Sequence, residues 1–513
     1  MSKSRTAKTL KNSIYALTFF AIQFVLAFIS RKIFLEYLGE DILGLNTTAV
    51  NILQFLNLAE LGINSAVSFS LYKPLHNNDQ TSINEILSLQ GKLYRRIASV
   101  IIIGAISVML FFPLIFKKIS LPLWYAYSSF GVLLFSSLLG YFINYRQIIL
   151  TASQHDYKIQ QSLGACNIIK SVTQIVVLSS CRNPYIWWLV TEVLFSIAGS
   201  AVLHITVSKS FPYLKESKLT YNELKRKYAN LIVKTKQVFF HNIGGFALTQ
   251  SSPLIIYAYS SLSLVAIYGN YLIVSSGIMR LFNAIFNSMG AGIGDMIAEG
   301  DKNRIMKVFY ELFALRFTLV ATVTFVFITI GQAFVEIWIG EQYLLPLSTL
   351  LIIATTLFIR LNRYTVNQFI AGQGQYQDIY SPVIEALLNV GLSILLGYYY
   401  GLNGILSGVL ISSICVIELW KPFFLFKYGL HESLIKYFVN YVSMALPAVV
   451  IGVILYYIFD GYWDTLPHTW IMLAIYTICI CLSYLITLCM CLWIISPSFR
   501  TLGSRIRRLF IKS

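Results

Sequence analysis

LGLNTTAVNILQFLNLAELGINSAVSFSL, residues 43–71, is long enough to cross a bilayer yet carries Asn46, Asn51, Gln54, Asn57, Glu60 and Asn64. At about 100° per residue, Asn46, Gln54, Asn57, Glu60, Asn64 and Ser68 fall within roughly a 120° arc. Ile52, Phe55, Ala59 and Ala66 cover the opposite side. An uninterrupted helix of this kind suits lipid or packed protein on one side and a wet, polar space on the other. The alternative is a helix whose amides bond its neighbours. So many amide and acid groups in one span favour the wall of a polar cavity, with Asn46, Gln54, Asn57 and Asn64 as lining groups.

The rest of the chain explains why such a stretch belongs in a membrane. Of 513 residues, 57% are hydrophobic and only 12% charged, with a mean hydropathy of +0.69. A soluble domain carries about 25% charge. Runs of about 20 apolar residues, the length that spans a hydrocarbon core, recur throughout. The fold class expected is an all-α integral membrane protein with about 14 transmembrane helices. The predicted spans are 13–35, 43–71, 97–116, 123–145, 159–180, 185–207, 238–259, 264–293, 308–330, 347–370, 379–399, 402–426, 438–459 and 469–495. The first follows Lys3, Arg5, Lys8 and Lys11 but is too long for a signal peptide and lacks a clear cleavage site.

Charge tests that count. With the N-terminus inside, most Lys and Arg fall in the head, the even-to-odd connections and the tail, as the positive-inside rule requires. Lys209, Lys215, Lys218, Lys225, Arg226, Lys227, Lys234 and Lys236 follow span six, and Arg500, Arg505, Arg507, Arg508 and Lys512 close the chain. The external side receives only Arg31, Lys32, Lys117, Lys118 and Arg182. One helix more or fewer would invert the downstream pattern, so both termini are expected on the cytoplasmic side. The net charge of +17 is then topological, with attraction to anionic membrane lipids, and no nucleic-acid partner is implied. The eight tryptophans fall near predicted span ends, where an amphipathic ring is favoured.

The expected division is an N-terminal six-helix lobe (1–207), a basic amphipathic cytoplasmic linker (208–237), a C-terminal six-helix lobe (238–430) and a trailing helix pair with a basic tail (431–513). In the linker, Thr220 and Glu223 have capping-box spacing, and Tyr221, Leu224, Tyr228, Leu231 and Ile232 form an apolar face expected to lie on the inner membrane surface. Six spans is an even number, so related lobes would be parallel pseudo-repeats about an axis along the membrane normal. Gly44-Leu-Asn46 in span two and Gly269-Asn270 in span eight give faint internal similarity, and Asn270 joins the candidate cavity-lining groups. Span eight also carries Asn283, Asn287 and the small-residue end Gly290-Ala-Gly292-Ile-Gly294.

Ionisable groups within spans cost about 2.5–3.5 kcal/mol each at the helix centre on insertion scales. Those away from span ends are Glu60, Lys170, Glu192, Arg280, Arg316, Arg360, Arg363, Glu385 and Glu418. Arginine clusters in spans eight to ten, and Arg360 and Arg363 lie one turn apart. Guanidinium forks suit phosphate oxygens, so Arg280, Arg316, Arg360 and Arg363 are candidate ligands for an anionic head group such as a pyrophosphate. Lys170 is a further polar cavity candidate. Glu60, Glu192, Glu385 and Glu418 are candidates for H+ or Na+ coupling, or else partners in internal ion pairs: Glu60 or Glu192 with Lys170, Glu385 or Glu418 with the arginines.

Enzyme signatures are missing. There is no GxxxxGK[ST]. Cys479, Cys481, Cys489 and Cys491 lie in an apolar run at spacings that point paired thiols apart, and His204 and His241 have no ligand partner at helical spacing, so no metal or other cofactor is expected. The predicted external connections are short, which disfavours a membrane glycosyl polymerase or ligase.

Two clusters of residues carry a resemblance. One is Tyr37-Leu-Gly-Glu-Asp-Ile-Leu-Gly-Leu-Asn46 with Leu56-Asn-Leu-Ala-Glu60-Leu-Gly62-Ile-Asn64-Ser-Ala66 and Tyr72-Lys-Pro74. The other is Ala371-Gly372 with Pro382-Val-Ile-Glu385-Ala-Leu-Leu-Asn389, Ser393, Gly401, Gly404 and Gly408. Together they resemble the bacterial polysaccharide transporters, the oligosaccharide flippases of the multidrug/oligosaccharidyl-lipid/polysaccharide (MOP) exporter superfamily. The resemblance implies two six-helix lobes around a central cavity. It also implies transfer of an undecaprenyl-pyrophosphate-linked oligosaccharide repeat unit from the cytoplasmic to the outer leaflet by alternating access. The product would be O-antigen (lipopolysaccharide), capsule or exopolysaccharide, with polysaccharide polymerase machinery as a partner. The chain departs from the related lipid II flippases in having few basic residues in its first span. A cation-coupled multidrug exporter of the same superfamily is the alternative, but it calls for buried acids in excess of bases, and here arginine prevails.

Overall fold

A computed structural model describes residues 2–60, 62–117, 121–286, 293–294, 296–297, 299–373, 378, 380–459, 461–462, 465–466 and 468–512, without the side chains of 2–11, 13, 59, 237–238, 240–250, 284 and 506–512. Asn287, Gly290 and Gly292 lie outside the described residues, as does the His241 side chain. Helix is the only regular secondary structure among the described residues, and ten of the helices are long and apolar enough to cross a membrane. Large apolar side chains face outward from them, Leu110, Leu387 and Ile494 being at least 70% exposed, as a lipid-facing surface requires.

The helices, in chain order, are α1 (Ser2–Leu56), α2 (Ile63–His76), α3 (Gln80–Leu110), α4 (Trp124–Phe142), α5 (Ala165–Ser180) and α6 (Pro184–Ser210). Then come α7 (Tyr221–Lys227), α8 (Ala229–Tyr259), α9 (Leu262–Phe286), α10 (Lys302–Ile339) and α11 (Leu347–Gly372). The last are α12 (Ser381–Ser413), α13 (Leu434–Phe459), α14 (Trp470–Ile495) and α15 (Pro497–Lys512). Two of them, α1 and α12, are each a pair of helices meeting at a non-helical glycine. Gly39 in α1 (φ 81°) and Gly401 in α12 (φ 56°) hold the left-handed conformation that glycine alone adopts without strain, and each joins two predicted spans.

The chain forms two compact units, dividing within α9 after Ala266. In the first, Ile83, Ile86, Leu87 and Tyr94 of α3 pack with Ile63, Val67 and Leu71 of α2 and with Leu224 and Leu231 of α7 and α8. The apolar face expected on the membrane surface is therefore covered by protein. The reason is a polar stripe along α3. Asn84 accepts from the Lys215 amide (3.0 Å), Ser88 from the Ser217 amide (2.7 Å), and Lys92 donates to the Leu219 carbonyl (2.5 Å). Arg95 pairs with Glu216 at 2.7 Å, and Arg96 lies 3.6 Å from the Tyr221 ring centroid. The Thr220–Glu223 capping box forms as expected. There the Thr220 amide and hydroxyl donate to the Glu223 carboxylate, which lowers its pKa below the usual carboxylate value.

Glu85, 7% exposed, closes this strap by accepting from Tyr228 Oη (2.6 Å) and Lys227 Nζ (3.0 Å). A hydrogen bond to a charged group contributes about 1.5–3 kcal/mol. Tyr228→Phe is expected to raise amide hydrogen exchange across residues 213–228 by at least about tenfold through local opening. Unchanged protection would show that the strap does not depend on Glu85.

In the second unit, Phe309, Phe313 and Phe317 form a row along α10 that meets Phe369 of α11, Phe426, and Tyr437 of α13. Tyr484 of α14 stacks on Phe325 of α10 at 4.4 Å and donates to the Ala448 carbonyl of α13. The trailing pair is thus packed into this unit, and Arg505 of α15 reaches Glu311 of α10 at 2.8 Å.

The two halves of α12 fold back on each other around Gly401. A Cβ on Gly404 would fall on the Leu396 carbonyl, and one on Gly408 on the Leu392–Ser393 backbone. Ser393 Oγ donates across the seam to the Ile405 carbonyl at 2.9 Å. Small residues permit this backbone-to-backbone approach.

Candidate functional site

Residues 43–71 are not one helix. α1 ends at Leu56, a 3-10 turn occupies Asn57–Glu60, and α2 restarts after Gly62, whose φ of 97° no continuing helix can hold. The single arc of amides is broken into parts with separate roles. Tyr94 Oη of α3 donates to Glu60 at 2.7 Å and contacts Asn64 Oδ1 at 2.7 Å, Asn64 Nδ2 donates to Glu60 at 3.0 Å, and Gln90 Nε2 reaches Asn64 Oδ1 at 3.3 Å. Asn57 accepts from Tyr141 Oη (3.0 Å) and donates to Ser137 Oγ (3.1 Å) on α4. Asn46 and Gln54, in α1, each keep a buried side-chain oxygen without a hydrogen bond to any described residue.

Of the two acids proposed for Lys170, Glu192 is the partner. Lys170 Nζ of α5 donates to it at 2.9 Å, and Gln174 Nε2 donates to the other oxygen at 3.0 Å, joining α5 to α6. Arg31 donates to the Ala266 carbonyl at 2.9 Å.

The second unit holds the arginines, and they differ. Arg316 is 1% exposed: Nε donates to the Leu361 carbonyl at 2.6 Å, and the guanidinium lies 4.4 and 4.5 Å from the Phe286 and Tyr364 ring centroids. Its other two nitrogens have no hydrogen bond to a described residue. Such cation–π packing reads as structural. Arg280, on α9, is exposed. Arg360, on α11, is half-buried and forms no ion pair among the described residues, although Glu385 and Arg363 lie within electrostatic reach. Arg363 meets Glu385 of α12 at 3.7 Å, too long for a hydrogen bond, and the fully buried Glu385 carboxylate has no hydrogen bond to a described residue. Asn270 has no exposed surface.

Glu418 lies in a π-helical continuation of α12 (Ile414–Trp420) and interacts with the Tyr441 hydroxyl. The two line a mostly apolar cavity of about 760 Å³ walled by α10, α11, α12, α13 and Tyr484. On α11 its wall is Leu347, Leu351, Thr355, Phe358 and Ile359. At about 100° per residue Arg360 falls on the far side of that helix, so α11 has an apolar face and a cationic face.

The arrangement of helices has known counterparts. The structure of the lipid II flippase MurJ in an inward closed conformation matches with a TM-score of 0.63 and 15% identity, over 92% of this chain and 97% of that one. A multidrug resistance MATE family transporter of the MOP superfamily, inward-facing, matches with a TM-score of 0.59 and 12% identity, over 80% of this chain and 97% of that one. The chain has the fold of MOP-superfamily transporters. At these identities the likeness is one of fold. No family model matches the sequence, and no curated protein does.

Within this MOP fold the sequence reading missed two polar features. Asp378 accepts from Lys421 Nζ (2.6 Å), Trp420 Nε1 (3.0 Å) and Ser381 Oγ (2.8 Å), tying the start of α12 to the helical segment that follows it. Asn362, between Leu361 and Arg363, is 4% exposed with neither amide atom bonded to a described residue. The run Arg360-Leu-Asn362-Arg363 in an apolar span was the available signal. Among the described residues no group of His, Cys, Asp or Glu could hold a metal ion.

Proposed function

We propose that the chain is a flippase, not an enzyme, that moves an undecaprenyl-pyrophosphate-linked oligosaccharide across the bacterial inner membrane by alternating access, for surface-polysaccharide synthesis. The observation that carries the reading is Arg360. It is a half-buried guanidinium in the predicted span 347–370, without an ion pair among the described residues, one turn from Arg363, whose contact with Glu385 is loose. A half-buried guanidinium with no direct ion pair is costly until an anion arrives, and a pyrophosphate offers oxygens that suit guanidinium forks. Arg363 would exchange Glu385 for the substrate.

Two of the four candidate coupling acids, Glu60 and Glu192, accept hydrogen bonds, Glu385 faces Arg363, and Glu418 meets Tyr441. A cationic drug would therefore face net positive charge on α11, which favours the flippase over the multidrug exporter. Coupling to H+ or Na+ and contact with a polymerase are part of the proposal. Depleting the protein should leave the lipid-linked repeat unit on the inner leaflet and remove surface polysaccharide. Loss of drug resistance with polysaccharide unchanged would favour the exporter.

A further inference from the structure

The first unit contains a second cavity, of about 450 Å³, lined from α3, α4 with the turn after it, and α6. Its polarity is graded. Leu139, Phe142, Ile143, Ile197 and Ala201 form an apolar trough, and Arg95, Arg146 and His204 gather at one end beside Tyr145. The spacing explains the walls: Leu139 and Phe142 share one face of α4, Ile197, Ala201 and His204 share one face of α6, and the 3-10 turn after α4 (Asn144–Gln147) carries Tyr145 and Arg146. Ser136 and Ser196 hydroxyls bond at 2.7 Å, and Asn144 donates to Ser200 at 3.1 Å, so the two walls are fixed alongside each other.

Depth places the basic end near a membrane interface. Trp187, exposed near the start of α6, suits one interface, and the rise from it to His204 is about 25 Å at 1.5 Å per residue, close to the hydrocarbon thickness of about 30 Å. Among the described residues, no carboxylate lines the cavity. Arg95 pairs with Glu216, and both are half exposed. Arg146 Nε donates to Tyr145 Oη at 3.1 Å, and no carboxylate among the described residues pairs with it.

We propose that this cavity binds an anionic glycerophospholipid of the phosphatidylglycerol class, its phosphate at Arg146, Arg95 and His204 and one acyl chain along the trough. Basic pockets between spanning helices recognise acidic lipid head groups in this way. A zwitterionic lipid would set its own ammonium against these cations. The site uses none of the residues assigned above to the flipped substrate.

The test uses the full chain in detergent, with native mass spectrometry after addition of phosphatidylglycerol or phosphatidylcholine. The wild type should retain phosphatidylglycerol in preference to phosphatidylcholine, and Arg146→Gln with His204→Gln should weaken that retention about tenfold. Ile197→Trp, which fills the trough and keeps every cation, should weaken it as well, so a folding defect in one variant does not decide the matter. Equal retention of the two lipids by the wild type, undiminished phosphatidylglycerol binding in both variants, or its displacement by polyprenyl pyrophosphate at stoichiometric concentration would overturn the assignment.

Discussion

Arg280→Gln combined with Arg360→Gln is expected to stop export at the translocation step, with surface polysaccharide lost and the lipid-linked repeat unit accumulating on the inner leaflet. If Arg280, a candidate head-group ligand exposed on α9, serves the phosphate beside Arg360, each arginine supplies a charge-assisted hydrogen bond worth about 1.5–3 kcal/mol. Losing two therefore corresponds to a fall in transport of about a hundredfold or more. Poor insertion is not the expected cause, because each substitution replaces a charged side chain by a neutral amide. Arg316→Gln makes the contrast. Its guanidinium packs on Phe286 and Tyr364 and bonds the Leu361 carbonyl, so the variant should lose folded protein first. Comparing surface polysaccharide with the yield of monodisperse protein separates the two outcomes. Normal polysaccharide from a correctly inserted double variant would remove Arg360 from the substrate site.

Gly408→Val should have the largest effect on stability. The branched side chain would meet the Leu392–Ser393 backbone on the facing half of α12, and backbone cannot rotate away as a side chain can. Overpacking costs about 1–3 kcal/mol where side chains can adjust, and more is expected here. Gly391→Ala, on the same helix with nothing within 4 Å of the added Cβ, is the control. Thermal unfolding in detergent should show Gly391→Ala near wild type and Gly408→Val far below it or absent from the membrane. Wild-type melting of Gly408→Val would mean that the two halves of α12 do not pack as described.

Apolar runs and the 3.6-residue period were enough to place helices, because a spanning segment must be long, apolar and internally hydrogen-bonded whatever surrounds it. The glycines at 401, 404 and 408 were visible as a pattern, and their role as a hairpin seam follows from close approach. The break at 57–62 was not visible, since an angular arc assumes the continuity that Gly62 removes. Lys170 could be matched to a class of partner, but choosing Glu192 over Glu60 needed the packing of α5 on α6. The apolar face of the linker was legible, while its cover was not. The i, i+4 run Asn84, Ser88, Lys92, Arg96 on α3 was the unused clue. Arg316 and Arg360 are alike in sequence, and only the helix face each occupies separates a packed guanidinium from one able to meet a ligand.

The most direct test reconstitutes the purified chain into liposomes containing a polyprenyl-pyrophosphate oligosaccharide and follows its accessibility to a glycosidase added outside. Wild-type protein should drain the protected inner-leaflet fraction, and the Arg280→Gln/Arg360→Gln protein should leave it protected. A protected fraction that persists with the wild-type protein as it does in protein-free liposomes, under an imposed H+ or Na+ gradient as well as without one, would contradict the flippase assignment.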